Sequence, residues 1–121
     1  MNAEIRGRGF LLKQRSFLKF YLITKIEQQK GYGLQMLDDL ENEFKPFAYS
    51  PTHTELYKSL HELKDEGIID WHRQLKPETD LQEIKIYRIV DQEKANLYKK
   101  QMKVELDRCY GLLRKALQDN Y

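Results

Sequence analysis

Three histidines and one cysteine are the side chains best suited to metal or nucleophilic chemistry, and their spacing suits neither. His53 and His61 are eight residues apart, His72 falls in a strand-like run, and Cys109 falls in a helical one. There is no C-x-x-C, H-x-x-x-H or H-E-x-x-H pattern, and His61-Glu62 lacks the second histidine. No glycine-rich loop is shaped to cradle phosphate, and no G-x-S-x-G elbow presents a serine. Carboxylates are plentiful, but nothing gathers them beside a histidine for acid–base work. The expectation is a protein that is not an enzyme and needs no metal or cofactor.

A different chemistry is concentrated in residues 51–67. Thr52, His53, Thr54, Tyr57, Lys58 and His61 are hydrogen-bonding side chains crowded into the first turns of one helix. Thr52 and Glu55 have the S/T-x-x-E spacing of a capping box, which starts that helix. Gly67 stands where a left-handed terminus ends it. Leu56, Leu60 and Leu63 form its core stripe, leaving Thr54, Lys58, His61, Glu62 and Asp65 outward. Threonine can reach most base edges or a thymine methyl, and lysine favours guanine or phosphate. The chemistry on offer is recognition of double-stranded DNA.

The surrounding elements position such a helix. A first helix is expected from Phe10 to about Gln28, broken at Gly31-Tyr32-Gly33. A second runs from about Tyr32 to Phe44 and stops before Lys45-Pro46. The run Phe47-Ala48-Tyr49 has the character of a small strand. After the capped helix come two strands, Ile68–Lys76 and Leu81–Val90, joined by the turn Pro77-Glu78-Thr79-Asp80. Ile69, Trp71 and Leu75 alternate in the first, and Ile84, Ile86 and Val90 in the second. Asp91 caps a last helix that continues to about Leu117. This order of elements is that of an α+β winged helix-turn-helix with a long C-terminal helix. In 121 residues one domain is expected, residues 1–9 being a mobile arm punctuated by Gly7 and Gly9.

The last helix, roughly 39 Å at 1.5 Å per residue, outruns a small domain. Its stripe of Ala95, Tyr98, Met102, Leu106, Cys109, Leu113, Ala116 and Leu117 must cover something besides its own fold. The simplest partner is a second copy, which makes 91–117 a dimerisation helix with its seam from Tyr98 to Leu117. The alternative is a helix lying across its own domain.

Net charge is only +2, but it is unevenly spread. Residues 1–30 carry Arg6, Arg8, Lys13, Arg15, Lys19, Lys25 and Lys30 against Glu4 and Glu27, a net of +5, while 31–50 carry a net of −3. The capped helix, with Lys58 and Lys64 against Glu55, Glu62, Asp65 and Glu66, has a net of −2. It cannot supply nonspecific affinity. Phosphate contacts are expected from the N-terminal block, Lys13 and Arg15 among them, and from Arg73, Lys76 and Lys85 on the wing. The bland reading of the same charges is a solvated helix face. The apolar stretch at 10–26 is interrupted by Lys13, Arg15, Lys19 and Lys25, so it does not span a bilayer. No leader pattern is present, and a lone cysteine allows no intrachain disulfide. A soluble, cytoplasmic, nucleoid-associated protein is expected.

Several segments are similar to the replication terminator protein family of Bacillus. They are Phe10–Leu12 with Lys13-Gln14-Arg15, Phe17-Leu18-Lys19, Tyr32-Gly33-Leu34, His53-Thr54-Glu55, Ser59-Leu60-His61-Glu62-Leu63 and Leu81-Gln82-Glu83. Leu97–Gln101, Val104–Cys109 and Lys115-Ala116-Leu117 with its Asp119-Asn120 tail continue the likeness in the same order. The resemblance implies a winged helix that dimerises through its C-terminal helices as an antiparallel coiled coil. It implies cooperating dimers on terminator sites that stop a replication fork arriving from one side. It points to Lys13, Arg15, Tyr57 and Lys58 as DNA contacts, and to Gln29 and Tyr32 as the surface that meets the replicative helicase. The chain departs from the family's pattern in carrying Gln29 where an acid can stand, Lys58 in place of arginine, and a wing turn that is less basic. The competing readings are a PadR-like winged-helix repressor, which shares a Tyr-Gly-Leu element, and a protein-interaction module with no DNA role.

Overall fold

A computed structural model describes residues 10–29, 31–75 and 82–121. The elements are α1 (Gln14–Glu27), α2 (Gly33–Phe44), a short 3-10 turn (Lys45–Phe47), α3 (His53–Asp65), β1 (Ile69–Leu75), β2 (Glu83–Ile89) and α4 (Gln92–Asn120). Helix α1 is central and packs against α3, β2 and α4. Leu18, Leu22, Ile23 and Ile26 of α1 meet Met36 and Leu40 of α2, Leu56, Leu60 and Leu63 of α3, and Ala95, Tyr98 and Met102 of α4 in one core. This is the expected α+β winged helix-turn-helix with a long last helix.

Helix α3 begins and ends as its sequence dictates. Thr52 accepts from the Glu55 backbone N–H at 3.1 Å, and the Thr52 N–H donates to the Glu55 carboxylate at 3.1 Å, closing the capping box. Those bonds from Thr52, backbone first, hold the Glu55 carboxyl below its usual range. Their contribution to stability is present at neutral pH and is lost as pH falls through that lowered value. At the other end Gly67 adopts φ 78°. The Ile68 N–H reaches the Leu63 carbonyl and the Gly67 N–H the Lys64 carbonyl, each at 3.0 Å, which is a Schellman closure.

Four expectations need correction. Helix α1 starts at Gln14 rather than Phe10: Lys13 is extended, and the Phe10 carbonyl accepts from Arg108 of α4 at 3.2 Å. Phe47-Ala48-Tyr49 is no strand: Pro46 sits inside the 3-10 turn and Ala48 is left-handed at φ 55°. Tyr49 instead joins Phe17, Tyr21 and Phe44 in an edge-to-face cluster that ties α1 to α2. In β2 Ile84 is buried as expected, but Tyr87 and Ile89, opposite Trp71 and Ile69, also turn to the core, whereas Val90 lies outside the strand and exposed. Leu75 is exposed in the same way. Finally, α4 extends beyond Leu117 to Asn120.

The loop between α1 and α2 forms part of the wing. Tyr32 bridges antiparallel to Ile86, and the Tyr87 N–H donates to the Gly31 carbonyl at 2.8 Å. A Cβ on Gly31 would lie 2.3 Å from the Tyr87 carbonyl oxygen, so only glycine lets the two backbones meet. Gly31→Ala should therefore destabilise the fold by about 1–3 kcal/mol, seen as a lower urea midpoint. An unchanged midpoint would show that the loop–wing contact is slack.

Candidate nucleic-acid interface

The capping box leaves the first turns of α3 open to solvent. Thr52, His53, Thr54, Lys58 and His61 are exposed, and Tyr57 is half-buried at their centre. The His53 and Tyr57 rings lie 4.6 Å apart. Tyr57 rests on the start of α2: a Cβ added to Gly33 would come within 2.5 Å of the Tyr57 hydroxyl and 3.0 Å of its ring carbon. Burial, with Tyr32 contributing, pushes the Tyr57 hydroxyl above its ordinary pKa. It therefore stays a hydrogen-bond donor across the physiological range. His53, Thr54, Tyr57, Lys58 and His61 line one open surface groove, and its remaining member is Glu62.

The charges are arranged differently from the sequence expectation. The N-terminal block was to hold phosphates, but two of its lysines are inside the protein. Lys19, 0% exposed, pairs with Glu66 and lies 3.6 Å from Glu62. Lys25 is also buried, pairing with Glu43 and lying 3.8 Å from Asp39. A buried ammonium must be paired, so both are held by acids of α2 and α3. Arg15 is partly exposed and donates to Glu62 at 2.6 Å. Lys13 is exposed. Arg6, Arg8 and Lys30 lie outside the described residues. The acidic excess of α3 is thus offset from within, at Glu62 and Glu66, by cations of α1.

On the wing, Arg73 and Lys85 face each other across the ladder and flank Trp71, with Lys85 Nζ 4.3 Å and Arg73 Cζ 5.7 Å from the ring centre. Lys76 lies outside the described residues. A second cleft joins wing to reading helix: Tyr32, Gly33 and Leu34 of the α2 entry, Tyr57 of α3, and Lys85 and Tyr87 of β2 all line it. Burial, then Tyr57, pushes the Tyr87 hydroxyl up to about 12. Among the described residues no group of histidine, cysteine and carboxylate side chains could hold a metal, and no helix is long and apolar enough to cross a membrane.

Comparison with known proteins places this geometry. The family model for the replication terminator protein matches residues 9–121. The chain belongs to the replication terminator protein family. A replication termination protein of Bacillus subtilis strain 168 is 54% identical over the whole of both chains. Among solved structures, a transcriptional regulator from Clostridium thermocellum superposes with a TM-score of 0.60 at 18% identity, covering 88% of this chain and 91% of that one. Bacillus subtilis PadR, solved in complex with operator DNA, gives a TM-score of 0.54 at 26% identity, over 69% of this chain and 44% of PadR.

Within this terminator-family chain the stripe on α4 divides into two parts. Tyr98 is 4% and Met102 0% exposed, both packed in the chain's own core, and Leu106 is partly buried against it. Cys109 is buried too, beside Arg108. Tyr98 and Met102, expected in the seam, are thus occupied within this chain's own core and leave little surface for a partner. Leu113, 48% exposed, Ala116 and Leu117, 63% exposed, form an open apolar patch with Asn120 and Tyr121. Gln29 is exposed and left-handed at φ 63°, closing α1 without a glycine, and Tyr32 is half-buried against β2.

Two residues of the interface were not singled out by the sequence. Periodicity places Glu62 only on the outward side of the helix, and nothing local signals that it meets Arg15, 47 positions earlier. Gly33 has the sequence character of a helix breaker, whereas it starts α2 and seats Tyr57. Gly33→Ala should leave the fold nearly intact, alanine being a better helix former. The displaced Tyr57 should weaken binding to a preferred duplex by about fivefold, the worth of one hydrogen bond. Titration by fluorescence anisotropy reads this, and full retained affinity would mean that Tyr57 is not held by Gly33.

Proposed function

We propose that this protein is a sequence-specific DNA-binding replication terminator, which binds terminator sites as a homodimer and arrests forks arriving from one side. The observation that carries this reading is the 54% identity, over both whole chains, with a replication termination protein, joined to a reading helix whose first turns present hydrogen-bonding side chains and Lys58. Helix α3 enters the major groove by its N-terminal half. Thr52, His53, Thr54, Tyr57, Lys58 and His61 face the base edges and nearby phosphates. Arg73 and Lys85 on the wing, with Lys13 and Arg15 at the start of α1, hold the backbone. Lysine at position 58 reaches guanine or phosphate as a point charge, without the two-pronged geometry of arginine.

The apolar patch at Leu113, Ala116 and Leu117 pairs with the same patch of a second copy, fixing the separation of two reading heads, with Leu106 and Cys109 bordering the contact. Gln29 and Tyr32, set where α1 turns toward the wing, are the surface that meets the replicative helicase and gives the roadblock its direction. The protein works on the chromosome inside the cell. A transcriptional repressor is the second reading, favoured by the likeness to PadR solved on its operator.

Footprinting the bound genomic sites and then testing them in a fork-arrest assay, in both orientations, separates these readings. Arrest is expected in one orientation only. Equal passage from both sides would remove the terminator reading and leave a repressor. The seam has its own test. Leu113→Glu should raise the dimer dissociation constant at least tenfold, on the order of 1.4 kcal/mol, and weaken DNA binding with it. A variant that still sediments as the wild-type dimer would contradict the seam.

A further inference from the structure

The recognition groove contains an acid, Glu62, beside Lys58 and His61. On charge alone this residue opposes binding, because it places a negative charge at the edge of a groove that must approach phosphates. Its contacts give it another role. One oxygen accepts from the Arg15 guanidinium at 2.6 Å, and the other lies 3.6 Å from Lys19 Nζ. Lys19 is fully enclosed: it is also paired with Glu66, and its ammonium lies 5.8 Å from the centre of the Tyr98 ring. Tyr98 in turn donates to the Ser16 carbonyl at 3.1 Å. A chain of contacts therefore runs from a buried fixed point, through Glu62, to the partly exposed guanidinium of Arg15.

We propose that Glu62 is a positioning residue for DNA recognition: it orients Arg15 at the rim of the α3 groove so that the free N–H groups meet a backbone phosphate. The inference rests on the DNA-binding reading above. Arginine suits this relay because its planar fork can donate to a carboxylate on one side and a phosphate on another. A guanidinium fixed before binding loses less side-chain freedom when DNA arrives. Glu62 thereby contributes to selective binding although its own charge disfavours every duplex.

The sign of one substitution decides the matter. Removing a negative charge from the interface by Glu62→Gln should, on Coulomb grounds alone, tighten binding to any DNA, most at low salt. A positioning role requires the reverse on the preferred site. We expect Glu62→Gln to weaken binding to a duplex carrying a footprinted genomic site by about fivefold, the difference between a charge-assisted and a neutral hydrogen bond. Binding to a scrambled duplex should stay equal or tighten. Glu41→Gln, which removes an exposed acid of α2 outside the groove, reports the response to charge alone. Arg15→Lys keeps the charge but loses the fork, and should reproduce the selective loss. In a double-mutant cycle Arg15→Ala should cost little further once Glu62 is glutamine. Additive losses, or a Glu62→Gln protein that tightens on both duplexes as Glu41→Gln does, would overturn the proposal. Wild-type protein without any preferred site would remove the DNA-binding reading itself, and this inference with it.

Discussion

The ammonium of Lys19 is the interaction on which the arrangement of this protein depends. It is completely buried, and a buried charge that lost its partners would cost about 3–5 kcal/mol. Its position is therefore exacting. Lys19 sits on α1, its acids Glu62 and Glu66 come from the last turns of α3, and its aromatic neighbour Tyr98 comes from α4. Hydrophobic packing brings these three helices together without specifying how far each slides along its neighbour. The ion pairs fix that register, since a shift of one turn would strand the charge. The reading helix and the long C-terminal helix are thus referenced to the same point on α1.

Fixing α3 in this way also settles an electrostatic difficulty. A reading helix with a net charge of −2 is poorly suited to a polyanion. Two of its four acids, Glu62 and Glu66, are turned toward α1 and neutralised there. A third, Glu55, is spent on the capping box. His61 and Asp65 pair with each other at 3.3 Å on the exposed side. The outward face in the first turns is left to neutral donors and Lys58. The cost is that Lys19 and Lys25 no longer serve as phosphate contacts, so nonspecific attraction falls to fewer groups than the sequence count suggests.

What the sequence revealed, and what it concealed, follows the range of the forces involved. The ends of α3 were legible because a capping box and a Schellman glycine act within a few residues. The outward set from Thr52 to His61 followed from helical periodicity alone. The late start of α1 was hidden because it depends on Arg108, 98 positions from the Phe10 carbonyl. In β2 alternation alone is ambiguous, because Ile84 and Ile86 alternate as convincingly as Tyr87 and Ile89, and the strand buries members of both sets, Ile84 near one end and Tyr87 opposite Trp71. The charge count at the N-terminus was right, yet counting cannot show which cations are consumed internally. The family resemblance implies what neither periodicity nor charge could, a pairing of two reading heads through the last helix.

The division of the α4 stripe has a mechanical consequence. One unbroken pattern of apolar residues serves two purposes: Ala95, Tyr98 and Met102 seal the chain's own core, while Leu113, Ala116 and Leu117 stand clear of it. No break in the helix separates the two parts. A partner gripping the free end would therefore be held by the same rigid rod that packs against α1, with no hinge between the seam and the core. At 1.5 Å per residue, the step from Met102 to Leu113 is roughly 16 Å. Two chains joined through that end would have their reading helices spaced by helix length and by the Lys19 register, rather than by a flexible linker. Such a pair is stiff in the direction that matters for a roadblock: displacing one head along DNA would require breaking either the seam or the buried ion pairs at Lys19.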